Sequence, residues 1–343
     1  MANAPAQRRH YMDYLNVVAM MFVVWQHARI HFYWPTDSPG YWFELCVSSI
    51  AVGAVPIFFM ISGANLIDFP TRYSLGTYLR RRVLRVGVPY CLWTQVYICA
   101  TWLRGDPTVS TPLDWVKATF YASSVAPPFW YIEILLGLYL ALPVFAYMRA
   151  YLGPRWRRPF GYVTVLAIFA GAALPLIRTA WYDAGGQFQL PLGGYIMFML
   201  IGYYLAHTDI PRVWRWVMYG AGLVAAVVFI AVGGPLSLAK SPFAEQIIGY
   251  TTLVAVCIAS AVFVAAKQLP ARWQRANAIA RTVGTWTFGI YLMHYLVLAV
   301  FTHIRPIGGV IEAIVYAGGV WIVCALLTAI ARKNAFVRRW ILP

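Results

Sequence analysis

Long apolar stretches, separated by short polar segments, make up most of this chain. A helix needs roughly 20 apolar residues to cross a bilayer, and ten stretches of about that length follow one another along the sequence. They lie near residues 13–33, 46–67, 86–103, 129–148, 160–178, 190–207, 214–232, 246–266, 284–304 and 309–331. The pattern predicts an all-α, polytopic transmembrane helix bundle of about ten spans, with residues 1–343 forming a single domain.

The net charge of +16 makes the placement of the 27 Lys and Arg residues informative. Most of them fall in the two terminal segments and in every second connection, whereas six are spread over the opposite side: Arg29, Arg104, Lys117, Arg178, Lys240 and Arg305. Cytoplasmic connections carry the excess of positive charge, so both termini are predicted to be cytoplasmic. Topology and contact with anionic membrane lipids explain the basic excess, and no nucleic-acid partner is expected. The five cysteines are scattered without a Cys-x-x-Cys pair, so neither disulfides nor a metal is expected.

The first span carries polar side chains at membrane depth, namely Asp13, Asn16 and His27, and Arg29 and His31 follow. At 100° per residue, His27 lies between the other two, about 20° from Asn16 and about 40° from Asp13, so the three form a polar stripe. Ionisable residues within a span usually face a bundle interior or a wet cavity and mark a functional site. His27 is therefore the first candidate for catalysis. A helix-capping role for Asp13 and interfacial hydrogen bonding by His27 and His31 are the structural alternatives.

Four arginines, Arg80, Arg81, Arg82 and Arg85, stand together just before the third span. Guanidinium groups bind phosphate oxygens with paired hydrogen bonds, so the cluster is a candidate site for a phosphorylated ligand. Arg82 and Arg85 are three residues apart and share a helical face, which makes them the favoured pair. An arginine cluster at a membrane face also has a purely topological explanation, and the two interpretations stay open.

Glu133 lies at the start of the fourth span, on the side of the membrane predicted for His27. A carboxylate near a histidine orients one ring nitrogen and raises the basicity of the other, as a general base requires. We therefore expect Glu133 to support His27. Pairing of Glu133 with Arg29 or Arg104 is the alternative.

Five short pieces of the chain, in this order, resemble the acyltransferase-3 superfamily of integral membrane acyltransferases. Members of that superfamily O-acetylate or O-succinylate envelope glycans, and the resemblance extends over nearly the whole chain. The pieces are Met12 to Asn16 with His27, Val55 to Gly63, Arg82 to Arg85 with Pro89, Trp130 and Tyr131 with Leu138 to Leu140 and Pro143, and Thr287 to His294.

The resemblance implies that the cofactor is an acyl-CoA co-substrate, preferably acetyl-CoA. Arg82 and Arg85, with Arg80 and Arg81 beside them, would hold its phosphates on the cytoplasmic side. The acceptor would be a hydroxyl of an envelope or lipid-linked glycan at the outer side of a bacterial inner membrane.

The resemblance also assigns roles around His27, which would take the proton of the acceptor hydroxyl or relay the acyl group. Glu133 and Asn16 are the further catalytic candidates, and Trp130, Tyr131 and Arg29 are the substrate-binding candidates. His294 belongs to the last motif, where a structural role near an interface is equally open.

One position departs from the family pattern, which has an arginine eleven residues before the histidine where this chain has Asn16. Asparagine donates hydrogen bonds but supplies no charge, so the arginine's role passes to another cation or is lost. Two alternatives to an acyltransferase therefore stay open. One is an exporter or permease for a polysaccharide or a small molecule, and the other is an acyltransferase-like protein without turnover.

Overall fold

The structure, a computed structural model, describes residues 10–29, 35–181, 192–270 and 272–342. In these ranges the regular structure is entirely helical, which confirms the predicted all-α class. The first nine α-helices are α1 (His10–Ala28), α2 (Pro39–Ala51), α3 (Ala54–Leu66), α4 (Leu75–Arg82), α5 (Val88–Leu103), α6 (Pro112–Phe120), α7 (Trp130–Leu152), α8 (Arg157–Ile168) and α9 (Leu174–Ala180). They are followed by α10 (Ile196–His207), α11 (Arg212–Val228), α12 (Gly234–Leu238), α13 (Phe243–Ile248), α14 (Leu253–Lys267), α15 (Gln274–Gly284), α16 (Thr287–Ile304), α17 (Val310–Ala331) and α18 (Ala335–Trp340).

By length and composition, seven helical stretches of the described chain can cross a membrane. They are Pro39–Thr71, Pro127–Arg155, Arg157–Ala180, Arg212–Leu238, Phe243–Lys267, Thr287–Ile304 and Val310–Ala331. Helices α1, α5 and α10 occupy the other three predicted spans. Helix α1 is rich in polar side chains and α10 has only 12 residues. The count of ten spans and the cytoplasmic position of both termini stay predictions.

Two of the predicted spans are interrupted rather than continuous. In the second span, α2 ends at Ala51 and α3 begins at Ala54. Pro56 lies in the first turn of α3, where its missing N–H is tolerated because that group has no partner within the helix. In the eighth span, α13 ends at Ile248 and α14 begins after Thr252, whose hydroxyl caps the Ala255 N–H at 3.1 Å. These interruptions turn the chain where it approaches the end of α1.

Helix α1 runs through the middle of the bundle. It packs against α2, α3, α14, α15, α16 and α17, and its Leu15, Met20 and Val24 side chains are almost completely buried. Because protein surrounds most of α1, its polar side chains have other helices as neighbours. This is the environment in which ionisable groups of a membrane protein carry function.

Helices α3 and α10 cross in backbone contact. A Cβ atom on Gly63 would overlap the main chain of Met199, and one on Gly202 would overlap the main chain of Met60. Only glycine allows so close an approach, which is typical of helix packing in membranes. The crossing fixes α3, whose first turns reach the end of α1 that carries His27.

The connection between α5 and α7 folds into short helices, of which α6 is the longest. Its N-terminus has a capping box, in which the Thr111 hydroxyl accepts from the Asp114 N–H while the Asp114 carboxylate accepts from Thr111. Hydrogen bonds from Thr111 lower the pKa of the partly exposed Asp114 carboxyl, so the cap is ionised at neutral pH. The connection ends at Pro128, immediately before α7.

Candidate active site

His27 lies in the last turn of α1 and lines a narrow cavity. The cavity has room for a water or two and not for a sugar. Its walls come from α1, from the first turns of α3 and α7, from the break between α13 and α14, and from α16. They are formed by Val23, Gln26, His27, Val55, Phe58, Pro128, Trp130, Tyr131, Tyr250 and Tyr291.

A second histidine, His294 of α16, lies against His27. The two ring centroids are 5.1 Å apart with the planes tilted by 45°, and the Tyr295 ring is 5.8 Å from His27 on another side. His294 is fully buried, and its Nδ1 lies 2.6 Å from the Tyr291 carbonyl oxygen. Its Nε2 is buried and has no hydrogen-bond partner in the described chain. The sequence placed His294 in a motif, but nothing in the spacing of the chain pointed to contact with His27.

Gln26 and Tyr250 form a polar edge of the cavity that sequence reasoning missed. The Gln26 amide donates to the Ala51 carbonyl, at the end of α2, and its oxygen accepts from the Tyr250 hydroxyl. Tyr250 reaches this position because the chain turns between α13 and α14. A glutamine at the end of a span is by itself a weak indication of a site, so these two groups were found only through the fold.

Trp130 and Tyr131, the substrate-binding candidates, form an aromatic wall of the cavity. Trp130 stacks on Tyr250 with ring centroids 5.5 Å apart. Tyr131 packs against Phe59 of α3 at 4.8 Å and against Tyr291 of α16 at 5.6 Å. Side chains from four separate parts of the fold therefore meet next to His27.

The structure does not bring Glu133 to His27. The Glu133 carboxylate accepts hydrogen bonds from the Ser123 N–H at 2.8 Å, the Ser123 hydroxyl at 2.9 Å and the Tyr90 hydroxyl at 3.3 Å. All of these donors lie on α5 or on the connection before α7. Glu133 therefore links this connection to α7 through hydrogen bonds. Among the donors that the structure describes for its carboxylate, neither Arg29 nor Arg104 is present.

Asn16 and Asp13 lie at the other end of α1 from His27. Asn16 is eleven residues away, about 16 Å along a straight helix, and it is partly buried. Asp13 is 5% exposed and lies against Gly284 of α15. The polar stripe therefore exists along α1, but its members do not form one constellation.

Arg29 follows His27 by two residues and is 8% exposed. Its guanidinium donates to the Ser48 hydroxyl of α2. Arg29 does not line the cavity around His27. His31, the third titratable group predicted here, lies outside the described residues.

The arginine cluster is divided by a change of helix type. Helix α4 ends at Arg82, and residues Val83–Gly87 form a π-helical turn before α5. Arg80, Arg81 and Arg85 are exposed, whereas Arg82 is partly buried. The pair Arg82 and Arg85, predicted to share a face, therefore differs in environment.

Arg82 turns inward against aromatic rings. Its guanidinium carbon is 5.5 Å from the ring centre of Tyr139 on α7 and 5.9 Å from that of Tyr78. Its Nε is buried and has no hydrogen-bond partner in the described residues. A buried N–H of a charged group without an acceptor is one that an anionic ligand can satisfy.

Apolar helices of membrane-spanning length surround a cavity that is lined by His27. This arrangement is typical of a membrane-embedded helical enzyme. A family model described as an acyltransferase domain matches residues 9–331, nearly the whole chain. The chain belongs to the acyltransferase-3 family and is an integral membrane acyltransferase. No curated protein and no solved structure gives a match.

Proposed function

We propose that this protein transfers an acyl group, preferably acetyl, from acyl-CoA to a hydroxyl of an envelope or lipid-linked glycan. The donor binds on the cytoplasmic side of a bacterial inner membrane, and the acceptor is modified at the outer side. The observation that carries the proposal is the position of His27, a partly buried histidine in an aromatic-walled cavity of a chain from an acyltransferase family.

The arginine cluster supports acyl-CoA as the donor. Exposed Arg80, Arg81 and Arg85 provide positive charge for the phosphates, and the buried Nε of Arg82 provides a donor in need of an acceptor. None of these four side chains has a carboxylate partner in the described chain. A polyanionic ligand would satisfy both features.

Helix α7 supports a route from the arginines to the cavity. Tyr131 lines the cavity, whereas Tyr139 contacts Arg82. The two tyrosines are eight residues apart, about 12 Å along the helix. An extended acyl-pantetheine arm spans such a distance, so one donor molecule reaches both ends.

His27 acts in this proposal as the general base. It removes the proton from the acceptor hydroxyl while the oxygen attacks the thioester carbonyl carbon. The new C–O bond replaces the C–S bond, and the departing CoA sulfur takes up the proton held by His27. A positioned base contributes about 10² to 10⁴ in rate, which suffices for a thioester because its carbonyl is already activated.

The cavity walls suit one face of a sugar ring. Trp130 and Tyr131 offer apolar aromatic surface, and Gln26 and Tyr250 offer hydrogen bonds at the edge. Because the cavity has room for no more than a water or two, it must widen when the acyl group and the acceptor bind.

The deciding experiment is mass spectrometry of envelope glycans from a deletion strain complemented with the wild type, His27→Ala or His303→Gln. His303 is an exposed histidine on α16 and serves as the matched control. We expect the ester-linked acyl mass with the wild type and His303→Gln and its absence with His27→Ala. Unchanged glycans in all strains, together with no specific CoA binding by the purified protein, would favour an exporter and overturn the proposal.

A further inference from the structure

We propose that His294 is a positioning residue for His27, with its Nε2 accepting the ring N–H of His27 and thereby fixing the tautomer of the general base. The kinetic part of this inference rests on the proposed function, in which His27 is the base. The hydrogen bond between the two rings does not depend on it.

The protonation pattern of His294 follows from its backbone contact. Its Nδ1 lies 2.6 Å from the Tyr291 carbonyl oxygen, and a carbonyl oxygen only accepts hydrogen bonds. Nδ1 therefore carries the proton in the neutral ring, and Nε2 carries the lone pair. His294 is thus a hydrogen-bond acceptor at Nε2.

This acceptor is fully buried and without a partner in the described chain. Two hydroxyl donors near it are already committed, because Tyr291 donates to the Pro128 carbonyl and Tyr97 donates to the Leu292 carbonyl. The His27 ring is in contact with His294, with centroids 5.1 Å apart. At that separation, rotation of the His27 side chain brings its N–H to Nε2, which removes the cost of an unsatisfied buried acceptor.

The turn of α16 that carries His294 is held from α5. The Tyr97 hydroxyl donates to the Leu292 carbonyl at 3.1 Å and accepts from the Leu296 N–H at 3.1 Å. It thereby bridges two backbone groups one helical turn apart, on either side of His294. Tyr97 is itself 3% exposed. With the side chain also bonded to the Tyr291 carbonyl, His294 has a fixed position from which to orient a neighbour.

The chemical consequence concerns the second nitrogen of His27. When one nitrogen donates to His294, the other must carry the lone pair, which can face the cavity and accept the hydroxyl proton. Once His27 is protonated, its hydrogen bond to Nε2 becomes charge-assisted and stronger. In many enzymes a carboxylate orients the catalytic histidine. In this chain His294 has that role, because the Glu133 carboxylate is bonded to Ser123 and Tyr90.

The hydrogen bond is tested by ¹⁵N-histidine NMR of the detergent-solubilised full chain, with the His27 resonance assigned from His27→Gln. We expect one neutral His27 tautomer in the wild type and a mixture of both in His294→Leu. His294→Gln, which keeps an acceptor atom close to the position of Nε2, should restore the single tautomer. An unchanged His27 tautomer in His294→Leu would overturn the proposal, provided that the variant elutes as a folded monodisperse protein.

Kinetics separate positioning from a general loss of structure. We expect His294→Leu to lower kcat about 10- to 100-fold, by analogy with groups that orient metal-ligating histidines, with the KM for acyl-CoA unchanged. His294→Gln should recover most of kcat, and the α16 control His303→Gln should match the wild type. An unchanged kcat in His294→Leu would contradict the inference. Intact acyl transfer in His27→Ala would sink the proposed function instead, while the NMR result would still decide whether the rings are bonded.

Discussion

At the scale of single residues, Glu133 anchors the connection before α7, because its carboxylate binds both the backbone and the side chain of Ser123. We expect Glu133→Ala to loosen that connection and lower kcat less than His27→Ala does. Ser123→Ala loses only the hydroxyl donor and should show a smaller effect of the same kind. Hydrogen exchange over residues 121–128 and acyl-transfer kinetics measure the two effects.

A double-mutant cycle of Glu133→Ala and Ser123→Ala distinguishes anchoring of the connection from a direct action of Glu133 on His27. If Glu133 and Ser123 act through their mutual contact, the double variant is less impaired than the sum of the single effects. A large loss of kcat in Glu133→Ala, without faster exchange in 121–128 and additive with Ser123→Ala, would show that Glu133 acts on the reaction itself.

Arg85 is exposed and Arg82 is partly buried, so we expect their substitutions to differ in their effects on the KM for acyl-CoA and on stability. Arg85→Ala removes an exposed cation and should raise the KM for acyl-CoA about tenfold or more, since hydrogen bonds to charged groups contribute about 1.5–3 kcal/mol. Arg82→Ala should raise KM and also lower the free energy of unfolding by about 1 to 2 kcal/mol, because Arg82 packs on Tyr78 and Tyr139. CoA titrations and thermal unfolding in detergent check both.

The matched control for these variants is Arg212→Ala, which removes an exposed arginine at the start of α11. It should change neither KM nor stability. An equal rise of KM in Arg212→Ala would mean that total charge, and not a specific phosphate site, attracts the donor.

The sequence identifies candidate site residues where an ionisable or polar side chain interrupts an apolar span. His27 could be found in this way, because an ionisable group at membrane depth stands out along the chain. His294, Tyr250 and Gln26 join it only through the packing of α16 and the break before α14, and their spacing in sequence contains no trace of that contact. The expected partnership of Glu133 with His27 also depended on three-dimensional packing, and the carboxylate has other donors.

At the scale of helices, the crossing of α3 and α10 leaves no room for a side chain at Gly63. Gly63→Ala forces a Cβ atom into the backbone of Met199, so we expect the free energy of unfolding to fall by about 3 kcal/mol or more, at the upper end for overpacking. Size-exclusion profiles and thermal unfolding in detergent measure the loss. Since α3 lines the cavity with Val55 and Phe58, activity should fall with it.

Gly137→Ala is the control, because a Cβ atom there has nothing within 4 Å. Alanine favours a helix over glycine by up to about 1 kcal/mol, so this variant should be neutral or slightly stabilised. A Gly63→Ala protein as stable as Gly137→Ala would show that the helices separate easily, against the tight crossing described.

Helix positions followed from apolar length, but helix continuity did not. Hydropathy treats residues 46–67 and 246–266 as unbroken, although the chain turns near Gly53 and before Thr252. Hydropathy also cannot show that Val83–Gly87 becomes a π-helical turn, which gives Arg82 and Arg85 different environments. These local departures position Tyr250 at the cavity and Arg82 against α7.

At the scale of the whole molecule, the segments predicted to be cytoplasmic meet at one end of the bundle. Asp68 pairs with Arg149 at 3.8 Å and with His207 at 3.3 Å, and Lys267 donates to the carbonyls that end α10. At the opposite end, Arg29 bonds to Ser48 of α2, near the cavity. The contacts within each end agree with the alternation of charge along the sequence.

Whether the two chain termini lie on the same side of the membrane depends on whether α1, α5 and α10 cross it in addition to the seven apolar stretches. Ten crossings are an even number and keep both termini on one side, whereas seven would separate them. We therefore expect fluorescent-protein fusions at either terminus to fluoresce in the cytoplasm and alkaline phosphatase fusions at the same points to be inactive.

Single cysteines test the two connecting sides in a chain whose five native cysteines have been replaced. Lys117→Cys, on exposed α6, should react with a membrane-impermeant thiol reagent in intact cells. Arg157→Cys, exposed at the start of α8, should react only after lysis. The opposite pattern would place the arginine cluster outside, away from cytoplasmic acyl-CoA, and His27 inside. The donor and acceptor sides of the proposed reaction would then have to be exchanged, although the cavity and its two histidines would stand.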